Sequence, residues 1–140
     1  MKLGLQVGNI SEPPVGDYEV VDFNQLQNVH DASCEDIFIG DCLDYSENRE
    51  QAAAHVLSKI RYGGKGTITG IDLLKVCSLR KSFKISDKET REMIYSNRKC
   101  ISSMSESIAY LKQAGMKVDT KRVDGVRYCI IFRRPAPNEN

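Results

Sequence analysis

Five cysteines (Cys34, Cys42, Cys77, Cys100, Cys129) and two histidines (His30, His55) are the residues that could hold a metal or supply a thiolate nucleophile. Their spacing argues against both. The cysteines are odd in number, far apart and without a C-x-x-C pair, so no zinc site is expected. Cys42 has Asp41 and Asp44 as neighbours, which disfavour negative charge on its sulfur. His55 sits among Ala53, Ala54 and Val56 in a helical pattern and reads as a partly buried packing residue rather than a base. The run Gly63-Gly64-Lys65-Gly66 looks superficially like a phosphate-binding loop. It lacks the G-x-x-x-x-G-K-[ST] spacing and follows a helical stretch, so it is expected to stop that helix and turn the chain. A basic cluster, Arg80, Lys81, Lys84, Lys88, Arg91, Arg98 and Lys99, is the one nucleic-acid candidate. It carries no recognised motif, and only Phe83 and Tyr95 could stack on bases, so nucleic acid is not the expected partner.

The chain that must position these groups has 140 residues, 41% hydrophobic and 28% charged. This suits one globular domain, expected over residues 1–134, with 135–140 as a loose tail. No apolar run approaches a membrane span and no signal-peptide profile is present, so a cytoplasmic protein with no membrane partner is expected. The net charge of +1 hides a division: residues 1–60 sum to −8 and residues 61–140 to +9. Mutual attraction of the two halves across one core is the simplest expectation.

Lys2 to Val7 alternates as a strand, and Pro13, Pro14 and Gly16 interrupt regular structure before a second strand, Tyr18 to Val21, ends at Asp22. Ile37 to Ile39 reads as a strand buried on both faces. Ser46 is placed to cap a helix carrying Ala52, Ala53, Val56, Leu57 and Ile60. A strand over Thr67 to Ile71 follows, then a short helix from Leu73 capped by Asp72. Ser86-x-x-Glu89 and Ser103-x-x-Glu106 are capping boxes that begin two further helices, the second stopping at Gly115. Alternation through Met116, Val118 and Thr120, then Asp124-Gly125, then Tyr128, Ile130 and Phe132 predicts a closing hairpin. The order predicts an α/β fold: an open, mostly parallel sheet with an antiparallel hairpin at one edge.

Three stretches carry a family likeness. Lys2 to Asn9 is similar to a first strand and glycine loop of the form K-L-N-L-G-C-G-N. Asp22 to Tyr45 matches without gaps a pattern of D-L, a nearby Leu, D-N-S-V-D, a buried strand and H-V-L-E-H. Val56 to Leu73 is similar to L-x-P-G-G-x-L-x-I-x-x-P-D. On these residues the chain resembles the small class I S-adenosylmethionine-dependent methyltransferases of the type 11 kind, with degenerate cofactor motifs. The resemblance implies a Rossmann-like methyltransferase sheet, shortened in its first half because the first two strands leave no room for a helix between them. It implies S-adenosylmethionine as cofactor, held by Gly8, Asn9, Asp22 and the turn Asp31, Ala32, Ser33, and it implies no metal. Asp22 would serve the ribose if it ends the family's second strand and lie near adenine if it ends the third. The H-V-L-E-H segment becomes Asp41-Cys42-Leu43-Asp44-Tyr45, without imidazoles, so Asp41, Asp44 and Tyr45 are the candidates for orienting an acceptor, with helix capping the competing role for Asp44. Gln6 and Val7 replace a Gly and a small residue in the first loop. The function implied is methyl transfer to an unidentified acceptor. The alternative is a non-catalytic methyltransferase-like fold serving as a binding or assembly module, with a homo-oligomer or protein partner possible in either case.

Overall fold

The computed structural model describes residues 1–7, 16–95 and 98–138. Six strands, β1 (Lys2–Gln6), β2 (Glu19–Asp22), β3 (Cys34–Gly40), β4 (Ile60–Ile71), β5 (Lys117–Asp124) and β6 (Arg127–Arg133), form one sheet in the order β2-β1-β3-β4-β6-β5. The first four strands are mutually parallel, while β6 runs antiparallel to both β4 and β5. The expected mostly parallel sheet with a closing hairpin is therefore present. Ile37 is central, opposite Leu3 of β1 on one side and Gly66 of β4 on the other. Ile37 and Ile39 are fully buried, but Phe38 between them faces the other side and is only half-buried, so the strand expected to be covered on both faces is fully covered on one.

Helices α1 (Arg49–Leu57) and α4 (Met104–Gln113) cover one face of this sheet. Leu3, Leu5, Ile37, Ile39, Ile68, Ile130 and Phe132 meet Val56, Leu57 and Leu111 there in a single core. On the opposite face Phe38, Thr67, Thr69, Cys129 and Ile131 stay half-exposed. Tyr18 lies against Phe38 with ring centroids 5.9 Å apart and donates to Asp36 Oδ2 at 3.3 Å. β1 and β2 are joined by residues 7–18, of which 8–15 lie outside the described residues.

Three local expectations are corrected by the structure. Ser46 does not cap α1: it follows the 3-10 turn Cys42–Tyr45, and the cap is Asn48, whose Oδ1 accepts from Gln51 N at 3.0 Å. The glycine run does not end α1, which stops at Leu57, but lies inside β4. Residues 61–64 bulge out of register between the pairs Cys34–Ile60 and Asp36–Lys65, and Gly63 takes a φ of 78°. This bulge bonds to the end of the chain, with Gly63 N donating to Arg134 O at 2.7 Å and Arg134 N to Gly64 O at 2.8 Å. Gly66 and Gly70 are needed for close approach: a Cβ would sit 2.5 Å from the Phe132 ring at the first and 2.8 Å from the Tyr128 hydroxyl at the second.

The third correction concerns Asp72. Its side chain makes no bond to α2 (Leu73–Lys81) but accepts from Met104 N, the first residue of α4, at 3.3 Å. Asp72 bridges to Ser102, and Leu73 N donates to Ser102 O at 3.2 Å. The excursion through α2 and α3 (Asp87–Tyr95) thus leaves and re-enters the fold at one point. The Ser86–Glu89 capping box forms reciprocally, at 3.2 and 3.1 Å. Ser103 caps α4 through Glu106 N at 3.1 Å, and Gly115 ends it with a φ of 84°.

Candidate functional site

In an open α/β sheet the ligand crevice lies outside the carboxyl ends of the strands where the chain reverses its direction of travel across the sheet. Here that point falls between β1 and β3, since β2 lies on one side of β1 and β3 on the other. Gln6, Val7, Asp22, Gly40 and Asp41 surround it. Gly8 and Asn9 lie outside the described residues. Asp22 stands opposite Gln6 in the parallel pairing, so its strand holds the place next to β1. The half-buried Asp22 caps the following 3-10 turn, its Oδ1 accepting from Asn24 N at 2.9 Å.

The turn Asp31, Ala32, Ser33 is not brought to this crevice. It precedes β3 and lies at the amino ends of β3 and β4, across the sheet from Asp22 and Asp41. Its backbone is tied to the end of α1, with Ala32 N donating to Ser58 O and Ser33 N to Lys59 O. Lys59 Nζ bonds Asp31 Oδ1 at 2.8 Å, and that hydrogen bond, then the ammonium charge, lowers the Asp31 carboxyl below the usual range. The turn's structural role is thus to start β3, with Ala32 at a φ of 53°.

Asp41, Asp44 and Tyr45 do come together at the carboxyl end of β3, where arginines engage them. Asp41 accepts from Arg127 at 2.7 and 2.9 Å, from Arg98 at 3.2 Å and from the Thr69 hydroxyl. Asp44, only 1% exposed, accepts from Arg49 at 2.7 Å and from Arg98 at 3.3 Å. Its carbonyl takes the amides of Lys99 and Cys100. The Arg98 guanidinium also lies over the Tyr45 ring at 5.7 Å. Arg49 continues the network to Tyr128 Oη at 2.9 Å and Ser107 Oγ at 3.1 Å. Burial pushes the Asp44 carboxyl up, with Arg49 and then Arg98 pulling the other way. Burial likewise raises the Tyr45 phenol, opposed by Arg98.

Chemically, Asp41 and Asp44 are acceptors already saturated by guanidinium donors, so their described arrangement anchors structure more than it offers a base. His55 is exposed on α1 rather than partly buried. No cluster of three or more metal-ligating side chains occurs among the described residues. Arg49, Arg127 and Tyr128 are not singled out by the sequence, and Arg98 only as part of the basic cluster, because their partners are up to 86 positions away and no local spacing announces them. A separate cavity of about 200 Å³ opens between α1 and α4, lined by Leu43, Ala53, Leu57, Ile68 and Leu111 with Arg49 at its wall.

No protein-family model and no curated protein matches the chain in sequence. Solved structures do match in shape. An O-methyltransferase family protein from Burkholderia thailandensis is similar with a TM-score of 0.62 and 16% identity over 86% of this chain and 37% of that one. A SAM-dependent methyltransferase from Methanosarcina mazei gives 0.59 and 14%, covering 86% of this chain and 69% of the other. The complex of the Haloferax volcanii Trm112 methyltransferase activator with a methyltransferase gives 0.59 and 14%, at 84% and 61%. At these identities the likeness establishes the fold: a shortened, Rossmann-like methyltransferase sheet. The chain spans little more than a third of the Burkholderia protein.

Proposed function

We propose that this chain binds S-adenosylmethionine at the carboxyl ends of β1, β2 and β3 and presents its methyl group to an unidentified acceptor. The observation that carries this reading is Asp22. It ends the strand beside β1 at the switch point, where a carboxylate can accept hydrogen bonds from ribose hydroxyls, as the resemblance implies for an acid ending the second strand. Gly8 would bring no Cβ against the cofactor and Asn9 completes the proposed set, both lying outside the described residues. Transfer from a sulfonium is an in-line displacement that requires alignment above all, so ion-paired Asp41 and Asp44 need not act as bases. The acceptor that suits such a site is an atom already nucleophilic at neutral pH.

Calorimetric titration with S-adenosylmethionine and S-adenosylhomocysteine tests the reading. Micromolar binding is expected, and Asp22→Ala should weaken it by about 1–3 kcal/mol if a buried hydrogen bond is lost. Unchanged affinity in a folded Asp22→Ala protein would remove Asp22 from the site. A second reading, a methyltransferase-fold module without catalysis, is favoured by Arg98, which closes over both acids. A folded protein that binds neither compound would leave that reading standing and end the first.

A further inference from the structure

Among the described residues, strand β5 is a sheet edge with one side unpaired, and all of its residues except Val118 are exposed. Its sequence, Lys117-Val118-Asp119-Thr120-Lys121-Arg122-Val123-Asp124, has opposite charges at its two ends and a valine next to each. The pairing with β6 fixes which face each residue occupies. Val118, Lys121 and Val123 stand opposite Phe132, Ile130 and Tyr128, the residues that face α1 and α4, whereas Lys117, Thr120, Arg122 and Asp124 stand opposite Arg133, Ile131, Cys129 and Arg127 on the other face. Asp119 is the extra residue where the register slips, and its carboxylate reaches Arg133 at 3.4 Å on that second face.

The slip has a consequence for self-association. Around a two-fold axis normal to the sheet, antiparallel strands must oppose residues of the same face, and a one-residue error would set every pair on opposite faces. Centred on Lys121, two copies of β5 satisfy this rule throughout once Asp119 is left unpaired as a bulge. Arg122 then faces Thr120 of the second copy with Asp119 adjacent, Val123 faces Val118, and Asp124 faces Lys117. Both ends gain opposite-charge pairs and the helix face gains apolar ones, each of the kind that stabilises cross-strand pairing. The opposed Lys121 side chains are the one unfavourable pair, and their length lets the ammonium groups diverge into solvent.

We infer that β5 is a self-complementary edge through which a second copy of this chain extends the sheet. The interface is a single strand pair, small beside those of permanent dimers, so association is expected only at tens to hundreds of micromolar protein. Sedimentation equilibrium over that range tests it, with circular dichroism confirming the fold of each variant. Lys117→Asp should weaken dimerisation at least about tenfold by setting like charges opposite. The double change Lys117→Asp with Asp124→Lys restores opposite charges and should return the affinity to within about threefold of the parent. A parent chain monomeric throughout the range would overturn the inference. So would a dimer indifferent to Lys117→Asp, or a folded double variant that fails to recover association.

Discussion

Asp44 shows what a strand-end acid does when two arginines reach it. Arg49 comes from the first turn of α1 and Arg98 from the segment after α3, so one buried carboxylate ties two distant elements to β3. Removing it leaves two guanidinium groups short of a partner. Asp44→Ala is therefore expected to cost about 3–5 kcal/mol in chemical denaturation, well above an ordinary surface change. Asp31 offers a contrasting test through pH. Its pKa is lowered in the folded chain by Lys59, so its stabilising contribution is present above its unfolded value and is lost as pH falls through the folded one. Asp31→Asn should make the fall in stability on acidification shallower than in the parent, as followed by thermal melts from neutral pH to below pH 4 or so. Asp44, raised by burial, has the opposite sign: its contribution is fullest below its unfolded value and declines as pH rises through the folded one.

At the level of elements, Gly66 is the sharpest case. Phe132 lies across the surface where a Cβ would stand, so Gly66→Ala should destabilise the fold by about 1–3 kcal/mol in urea titration, although the residue looks like turn punctuation in sequence. This separates what was legible from what was not. Strands with a strong local pattern, such as Ile37–Ile39 and the Asp124-Gly125 hairpin, were readable because side-chain alternation and turn chemistry are short-range. So were the capping boxes, whose partners are three residues apart. The glycine run and Asp72 differ from expectation because each is decided by something far along the chain, the Phe132 ring and the start of α4, whereas Ser46 loses the cap to a near neighbour, Asn48, because Ser46 ends the turn Cys42–Tyr45. Asp22 is singled out by residue type and pattern, while its place beside β1 needs the sheet order. The Asp31–Ser33 turn was grouped with it by sequence likeness, yet parallel strands necessarily put the residues before β3 at the opposite end from those after β1 and β2.

For the whole molecule, the charge division resolves into specific contacts. The basic half neutralises the acidic half through Arg98 and Arg127 on Asp41, Arg98 on Asp44, Arg61 on Glu35 and Lys99 on Glu47. Arg80 and Lys88 instead pair within their own neighbourhood, with Asp87 and Glu92. The exposed remainder of that cluster lacks stacking aromatics other than Phe83 and Tyr95. Fluorescence anisotropy with single-stranded RNA and DNA at physiological salt is accordingly expected to show no submicromolar binding. Tight binding with a steep salt dependence, about one log unit of slope per phosphate contacted, would reverse that assignment.

The bridge between Asp72 and Ser102 makes the intervening segment a closed loop on the fold rather than a link in its sheet. Loops pinched at the base tolerate a broken peptide bond, because the severed ends remain held by what the neck already joins. A single cut by trypsin near Lys81 or Lys84, both exposed, should yield two fragments that migrate separately under denaturing conditions yet elute together in native buffer. The exposed tip of the same loop, around Lys81 to Lys84, marks the place where a foreign segment could be spliced in while the neck keeps the strands on either side undisturbed.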